Sequence, residues 1–291
     1  MAVFTYKSFF TKKAKESTPA ASYTLSTIFH ILDDGVWEGG DIGGVRSEGF
    51  SRDGFSDFKL SGSKTRLSLK SNDGQDKIDL KGKFKLNNSG AFVGKIKSIK
   101  YLGVYSDGAA KCTMSLKGID FHTNDLATLG ELRPSNWREQ LQEKIFKGDD
   151  TFVFTGKSNK YGTEHLYDNF DPIVLGDGND RITITGPLNL VSESFIEGIS
   201  TGNGQDEIIL KSTKAGQPEI TLLDFNSSDT LDLRKVEISD DSITCNNKDF
   251  THPGINPDHQ PDWEIYGGES EASMVTSYSG SSCDDQLNII V

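Results

Sequence analysis

The sequence predicts an all-β protein, with an N-terminal β-sandwich-like domain, one linking helix, and a parallel β-helix or β-roll-like solenoid. Thirty glycines against eight prolines, with many Asp, Asn, Ser and Thr residues, are typical of frequent turns between short strands. A polar turn followed by an alternating apolar strand recurs along the chain, which favours repeated β units. Helical spacing is clear in only one stretch, 126–146, where Trp137, Leu141 and Ile145 share one face.

The charge balance limits the classes of partner. The 291 residues include 43 acidic and 31 basic side chains, which gives a formal net charge of −12. Such a chain is a poor match for nucleic acid or for anionic lipid, so we expect neither as a partner. Cations are the small partners that this composition favours.

The cysteines and the termini exclude several classes. Cys112, Cys245 and Cys283 lie far apart and form no CxxC pair, so neither a disulfide framework nor a zinc knuckle is predicted. Residues 1–17 lack the apolar core of a signal peptide, and no apolar run approaches the roughly 18 residues of a membrane helix. We therefore expect a soluble chain without a membrane span, whose export would use no N-terminal signal.

One pattern recurs: a polar turn of Gly, Asp and Asn, then an Asp, then alternating apolar residues. Its copies are SNDGQDKIDLKG (71–82), FKGDDTFVFTG (146–156), LGDGNDRITITG (175–186), STGNGQDEIILKS (200–212) and the degenerate NSSDTLDL (226–233). The last four copies place their Asp at Asp150, Asp180, Asp206 and Asp229, at intervals of 30, 26 and 23 residues. Intervals of this size are typical of one coil of a solenoid.

Stacked coils would share one apolar core, because a single coil cannot bury its own apolar face. The predicted core pairs are Phe152 and Phe154, Ile182 and Ile184, Ile208 and Leu210, and Leu231 and Leu233. The same stacking would bring Asp150, Asp180, Asp206 and Asp229 into a column. Carboxylates roughly 5 Å apart repel one another unless they are protonated, solvated or bridged by a cation. Hard oxygen ligands on a flexible turn suit Ca²⁺.

The turns resemble the calcium-binding nonapeptides of the RTX family of secreted bacterial proteins, with pattern GGxGxDxUx and U apolar. The best-matching positions are Gly176, Gly178, Asp180 and Ile182, then Gly202, Gly204, Asp206 and Ile208. Weaker copies keep Gly74, Asp76 and Ile78, and Gly148, Asp150 and Phe152. Leu175 and Thr201 stand where the motif has its first Gly. Residues 94–126, 143–152 and 222–233 are similar to segments that accompany RTX repeats, and QLNIIV is similar to the apolar tails of type I secretion substrates.

The resemblance implies a parallel β-roll in which turn carbonyls and the motif Asp hold Ca²⁺ between adjacent turns. The metal-site residues that it implies are Gly176, Gly178, Asp180, Gly202, Gly204, Asp206, Asp76 and Asp150. The copies are not in nine-residue tandem, which favours a looser β-helix or a β-sandwich, with few ion sites or none, over a regular β-roll. The alternative for every copy is that Gly and Asp only form the turn, without an ion.

We expect four segments along the chain. They are an N-terminal β domain over 1–130, a linking helix over 131–146, an RTX-like solenoid region over 147–235, and a C-terminal cap or tail over 236–291. The helix would pack on the open end of the solenoid, since solenoid cores need capping.

Other patterns are weaker. The acidic loop at 31–44 lacks the ligand order of an EF-hand, and we interpret it as an exposed turn. His252 and His259, with Asp258 and Asp262, could be drawn as a zinc site, but the spacing is a weak signal. An aromatic sugar-binding face could be built from Tyr101, Tyr105, Trp263, Tyr266 and Tyr278.

The function that this sequence predicts is a non-catalytic, calcium-binding structural or adhesive β protein, extracellular or on a cell surface. HExxH, GxSxG and P-loop motifs are missing, so no enzyme is expected. Its partners would be calcium and a polysaccharide or cell-surface protein, and it could be a homo-oligomer. The alternatives are a bacteriophage virion protein (decoration, fibre or tail component) and, less favoured, a polysaccharide lyase or epimerase on a β-helix.

Overall fold

The computed structural model describes most of the chain. The described residues are 1–11, 13, 28–29, 31–32, 50, 57–105, 108–125, 137–157, 164–165, 173–186, 188–190, 199–213, 218–225, 228–236, 243–246, 263–267 and 288–290. The sequence-predicted acidic loop (beyond residue 32), the His252 and His259 loop and Tyr278 lie outside them.

Strands dominate the described residues, which confirms the all-β prediction. The first six strands are β1 (Val3–Phe10), β2 (Phe58–Gly62), β3 (Arg66–Ser71), β4 (Asp76–Leu86), β5 (Phe92–Tyr105) and β6 (Ala110–His122). Helix α1 (Trp137–Ile145) follows. The remaining strands are β7 (Thr151–Lys157), β8 (Glu164–His165), β9 (Ile173–Val174), β10 (Arg181–Thr185), β11 (Leu188–Leu190), β12 (Ile199–Ser200), β13 (Glu207–Lys211), β14 (Glu219–Phe225), β15 (Thr230–Lys235), β16 (Ile243–Asn246), β17 (Trp263–Gly267) and β18 (Asn288–Ile290).

A mixed sheet of eleven strands runs through the molecule. Its order is β18-β15-β13-β10-β7-β1-β6-β5-β4-β3-β2. The strands from β18 to β1 pair in parallel, and those from β1 to β2 pair antiparallel. The sheet therefore changes from parallel to antiparallel pairing at β1, which is parallel to β7 on one side and antiparallel to β6 on the other.

A second sheet is built only from strands that follow β7 in the chain. Its order is β16-β17-β14-β11-β8, with β12 and β9 attached, and every pair in it is parallel. From β7 onward the chain passes alternately between this sheet and the first one. Each pass adds one parallel strand to the large sheet, next to the strand of the preceding pass, and one or two short strands to the second sheet. We call one such pass a coil.

The N-terminal half differs from the predicted β-sandwich-like domain. Strands β2 to β6 form an antiparallel meander that continues the large sheet. The physical reason lies in β1, whose register aligns Val3 with Thr151 and with Lys117, so that one strand joins both halves. The predicted linking segment at 131–146 contains a helix, but strands from before and after this segment belong to the same sheet.

The predicted apolar core of the parallel region is confirmed. Phe152, Ile182, Ile208 and Leu231 are in register on neighbouring strands, and each is 0% exposed. Their partners two residues on are also buried: Phe154, Ile184, Leu210 and Leu233. Strand β1 extends the stack, because Phe4 lies opposite Phe152 and Tyr6 opposite Phe154. These side chains belong to one buried cluster that includes the inner face of the antiparallel strands.

Helix α1 is the predicted linking helix, within the part of 126–146 that the structure describes. Leu141 is 0% exposed and Ile145 packs against the core. The buried Gln142 side chain accepts a hydrogen bond at 3.1 Å through Oε1 from the backbone N–H of Val174 in β9. Phe146, just after the helix, lies with its ring centroid 4.8 Å from that of Phe152. The helix is thereby fixed to the first coil of the parallel region.

The C-terminal segment adds strands to both sheets. Strands β16 and β17 join the second sheet, and β18, within the apolar tail QLNIIV, pairs in parallel with β15. Across the described residues, no helix is both long enough and apolar enough to cross a membrane.

Candidate functional site

Four aspartates sit at the same point of successive coils, as the sequence predicted. Each of Asp150, Asp180, Asp206 and Asp229 directly precedes a parallel strand of the large sheet. The four residues are 3%, 2%, 2% and 0% exposed, in that order. We call this set the aspartate column.

Each carboxylate of the column is bonded to the backbone of the coil before it. Asp180 Oδ1 accepts from the N–H of Asp150 at 2.7 Å, Asp206 Oδ1 from that of Asp180 at 2.8 Å, and Asp229 Oδ1 from that of Asp206 at 3.1 Å. Asp150 Oδ1 continues the series by accepting from the N–H of Ala2. The bonds join residues 30, 26 and 23 positions apart, so one bond links each coil to the next.

The backbone explains why an acidic residue occupies this position. The carbonyl of Asp150 accepts from the N–H of Arg181, and that of Asp180 from the N–H of Glu207. The backbone hydrogen bonds between neighbouring parallel strands therefore begin at the carbonyl of each column residue. The N–H of the same residue points into the turn, outside that ladder, and needs another acceptor. A buried N–H without a partner costs free energy, and the carboxylate of the next coil supplies the acceptor.

A second set of bonds runs in the opposite direction, one residue earlier in each turn. Asp149 Oδ1 accepts from the N–H of Asn179, and Asn179 Oδ1 from the N–H of Gln205, both at 2.9 Å. We call Asp149, Asn179 and Gln205 the outer ladder, because their side chains are exposed. Sequence reasoning misses the outer ladder, because a polar residue beside Asp150 is as consistent with simple solvation as with a hydrogen bond. The recurrence of a polar residue immediately before each motif Asp was the available signal.

The motif glycines are required by the close approach of successive turns. A Cβ on Gly202 would lie 2.1 Å from the carbonyl oxygen of Gly176, and one on Gly204 would lie 1.7 Å from that of Gly178. Gly176 and Gly178 likewise approach the backbone of Phe146 and Gly148. All four have positive φ, between 82° and 148°. A backbone role therefore accounts for these four predicted site residues without an ion.

The second carboxylate oxygens of the column are not explained by backbone hydrogen bonding. Oδ2 of Asp150, Asp180 and Asp206 is buried, and none has a hydrogen-bond partner among the described atoms. A buried carboxylate oxygen without a partner is costly while the group is charged. The column has three such oxygens on adjacent coils, and a proton or a cation would lower the cost of burying each of them.

The protonation of the column follows from this burial. Burial raises the pKa of Asp180 to about 7, against the opposing effect of the N–H of Asp150, while the charges of Asp150 and Asp149 raise it further. Burial raises the pKa of Asp206 to about 7 as well, with the neighbouring Asp229 and Asp180 adding to the effect. It also raises the pKa of Asp150. Near neutral pH, Asp180 and Asp206 are therefore each only partly ionised.

The donor chemistry of the column fits Ca²⁺, which binds carboxylate and carbonyl oxygens. The side chains alone do not complete its shell. Among the described residues no group of three or more His, Cys, Asp or Glu side chains is disposed to hold one ion. Calcium takes about six to eight oxygens, so turn carbonyls and water would supply the others.

Asp76 lies apart from the column, although its sequence matches the pattern. It begins β4, across an antiparallel pair from Gly103, and its Oδ1 accepts from the hydroxyl of Tyr101 at 2.5 Å. The turn before it is closed by Asp73, whose Oδ1 accepts from the N–H of Gln75 at 2.9 Å. The copy at 71–82 is therefore a hairpin turn and adds no coil to the stack. Tyr101 is 2% exposed, which removes it from the predicted aromatic face.

Comparison with protein-family models, with curated proteins and with solved structures finds no match to this chain.

Proposed function

We propose that the parallel region is a β-solenoid closed by the aspartate column, and that the protein is a non-catalytic structural or adhesive module stabilised by Ca²⁺. The observation that carries this proposal is the set of three unpaired, buried Oδ2 atoms on Asp150, Asp180 and Asp206. Its place of action would be outside the cell or on a cell surface, where calcium is plentiful.

The solenoid part of the proposal is supported by the strand order. The chain alternates between two sheets from β7 to β18, and neighbouring coils pair in register at Phe152, Ile182 and Ile208. Coil-to-coil bonds at intervals of 30, 26 and 23 residues are in the range of solenoid repeats.

The calcium part is supported by electrostatics. Ionised Asp180 and Asp206 on adjacent coils repel each other, and each lies in a buried environment that disfavours charge. A divalent cation relieves both effects at once. Because the coils are separated in the unfolded chain, the ion would bind only the folded state and would stabilise it by mass action.

The test is thermal unfolding in EDTA and in millimolar calcium, at neutral pH. We expect calcium at about 100 times its Kd to raise the Tm of the native protein by about 5–10 °C. The double variant Asp180→Asn, Asp206→Asn keeps an oxygen that can accept the coil-to-coil N–H, and we expect it to lose the calcium response.

The matched control is Asp149→Asn with Asp177→Asn, which makes the same chemical change at exposed positions of neighbouring turns. We expect it to keep the calcium response. An unchanged Tm of the native protein in calcium and in EDTA would refute calcium stabilisation. Loss of the response in the control alone would move the ion to the exposed turn.

A further inference from the structure

A strongly basic surface lies on the antiparallel half of the large sheet. Between residues 57 and 122 the sequence has twelve lysines and one arginine against six aspartates and no glutamate. The whole chain has a net charge of −12, so this concentration of cations opposes the overall composition. It is also confined to strands β2 to β6 and the turns between them.

Alternation in the strands places most of these cations on one side. Leu67 and Leu69 in β3, and Ile78 and Leu80 in β4, are buried. The residues between and beside them therefore project from the opposite, outer face. The outer cations of these strands are Lys59, Arg66, Lys70, Lys77, Lys81, Lys83, Lys85, Lys95, Lys100, Lys111 and Lys117. We call this surface the basic face.

The strand register arranges several of these cations in rows. Lys59 is paired with Lys70, and Lys70 with Lys77, so three lysines lie side by side on β2, β3 and β4. Arg66 lies opposite Lys81. A third row consists of Lys83, Lys95 and His122 on β4, β5 and β6.

These rows work against the stability of the sheet, because like charges directly opposite each other on neighbouring strands are destabilising. Within the described residues, Asp79 pairs with Arg66 and Lys77, and Asp120 pairs with Lys95. Lysine on an edge strand protects against edge-to-edge pairing, which explains Lys59 on β2. Edge protection does not explain the cations on the inner strands β4, β5 and β6.

We propose that the basic face binds a linear acidic polysaccharide, a chain of sugar residues that carry carboxylate groups. Adjacent strands lie about 5 Å apart, so an anionic chain that crosses them meets one cation per strand along each row. Lysine ammonium groups are compact charges on flexible stems, which suits carboxylates that repeat along a flexible polymer.

Other polyanions fit the surface less well. Single-stranded nucleic acid binds by stacking its bases on aromatic side chains. The Phe and Tyr residues of β2 to β6 with described side chains face the core instead: Phe58, Phe84, Phe92, Tyr101 and Phe121. Interfacial membrane binding adds an inserted apolar face to its basic residues, and the exposed large apolar side chains of these strands are Leu86 and Leu102.

The proposal is independent of the aspartate column and of calcium, so its test is made in EDTA. The probe is an oligomer of galacturonic acid, with neutral dextran as the uncharged comparison, measured by titration calorimetry at low salt. We expect the full chain to bind the oligogalacturonate and not the dextran, with an affinity that falls as salt is added.

The variant Lys70→Gln, Lys81→Gln, Lys83→Gln removes one cation from each row. We expect its affinity to fall by about tenfold or more, since three exposed charge contacts, each modest alone, are lost together. The triple Lys→Arg variant at the same positions keeps the charges and should retain binding.

The control Lys147→Gln, Lys211→Gln, Lys235→Gln removes the same charge from the parallel region. We expect it to bind within about twofold of the native protein. An absence of binding at low salt, or an equal loss in both Gln variants, overturns the proposal. Tighter binding to oligothymidylate or to phosphatidylserine vesicles than to oligogalacturonate overturns it in favour of that partner.

Discussion

The backbone N–H of Asp180 donates a hydrogen bond at 2.8 Å to the carboxylate of Asp206, 26 residues further along the chain. Both residues directly precede a parallel strand, and both are 2% exposed. The same bond recurs from Asp150 to Asp180 and from Asp206 to Asp229. A side chain of each coil thus completes the backbone hydrogen bonding of the coil before it.

Comparing Asp206→Ala with Asp206→Asn isolates this bond. Asn keeps an oxygen that can accept from the N–H of Asp180, whereas Ala leaves that buried N–H without its partner. We expect the Ala variant to be less stable than the Asn variant by about 1–3 kcal/mol in urea unfolding. The exposed Asp177, changed to Ala and to Asn, is the control, with an expected difference below about 0.5 kcal/mol. Equal stability of the two Asp206 variants would contradict a structural role for the bond.

The raised pKa of Asp180 and Asp206 predicts a pH dependence of stability. An unfolded Asp titrates near pH 4, and these two titrate at about 7 in the folded protein. Between these values the folded state binds more protons, so its stability is highest below about pH 4 for these groups and falls as the pH rises through about 7.

Without calcium, we expect the free energy of unfolding to fall from about pH 5 to about pH 8, by up to ~3 kcal/mol for each group. Urea unfolding at several pH values, in EDTA, measures the slope. The Asp180→Asn, Asp206→Asn variant should have a clearly smaller slope over this range, and so should the native protein in saturating calcium. If the free energy of unfolding of the native protein instead rises over the same range, the two carboxyls ionise in the folded state without destabilising it, and the prediction is wrong.

Gly204→Ala tests the stacking of the turns. The new Cβ would lie 1.7 Å from the carbonyl oxygen of Gly178, which is backbone and cannot rotate away. We expect a loss of about 3 kcal/mol or more in chemical unfolding. Gly90→Ala is the comparison: Gly90 also has a positive φ, 82° against 148° for Gly204, but no described atom lies within 4 Å of its Cβ. It should cost only about 1–2 kcal/mol, and equal losses at both sites would argue against tightly stacked turns.

Gln142→Leu tests the attachment of helix α1. Leu has a similar volume but cannot accept the hydrogen bond from the N–H of Val174, so that buried group loses this acceptor. We expect destabilisation of about 1–3 kcal/mol. Glu143→Leu changes an exposed neighbour on the same helix and should shift stability by no more than about 0.5 kcal/mol. Hydrogen exchange at Val174 provides a local readout, which should speed up only in the Gln142 variant.

The sequence predicted much of the parallel region because its signals are local and repeated. Alternation set Phe152, Ile182 and Ile208 on one face, and the interval between copies aligned the Asp before each strand. Both expectations depend only on the alternation of side chains along a strand and on coils of similar length. The structure confirms them.

The copy at 71–82 shows the limit of the pattern. A Gly/Asp turn followed by a strand is equally suitable for a hairpin and for a coil, since positive φ at Gly74 serves both. Whether the next strand returns antiparallel or crosses to another sheet depends on residues distant in sequence. Asp76 accordingly lies against Tyr101 and outside the aspartate column.

By itself, the sequence determined the all-β class, the apolar faces of the repeated strands and the acidic residue at each turn, because these follow from local periodicity and composition. Only the tertiary structure decided that β1 joins the two halves in one sheet and that each column carboxylate bonds the preceding coil. It also brought the lysines of β2 to β6 into rows. These relationships arise from strand register between distant segments, which buried packing fixes and local sequence does not encode.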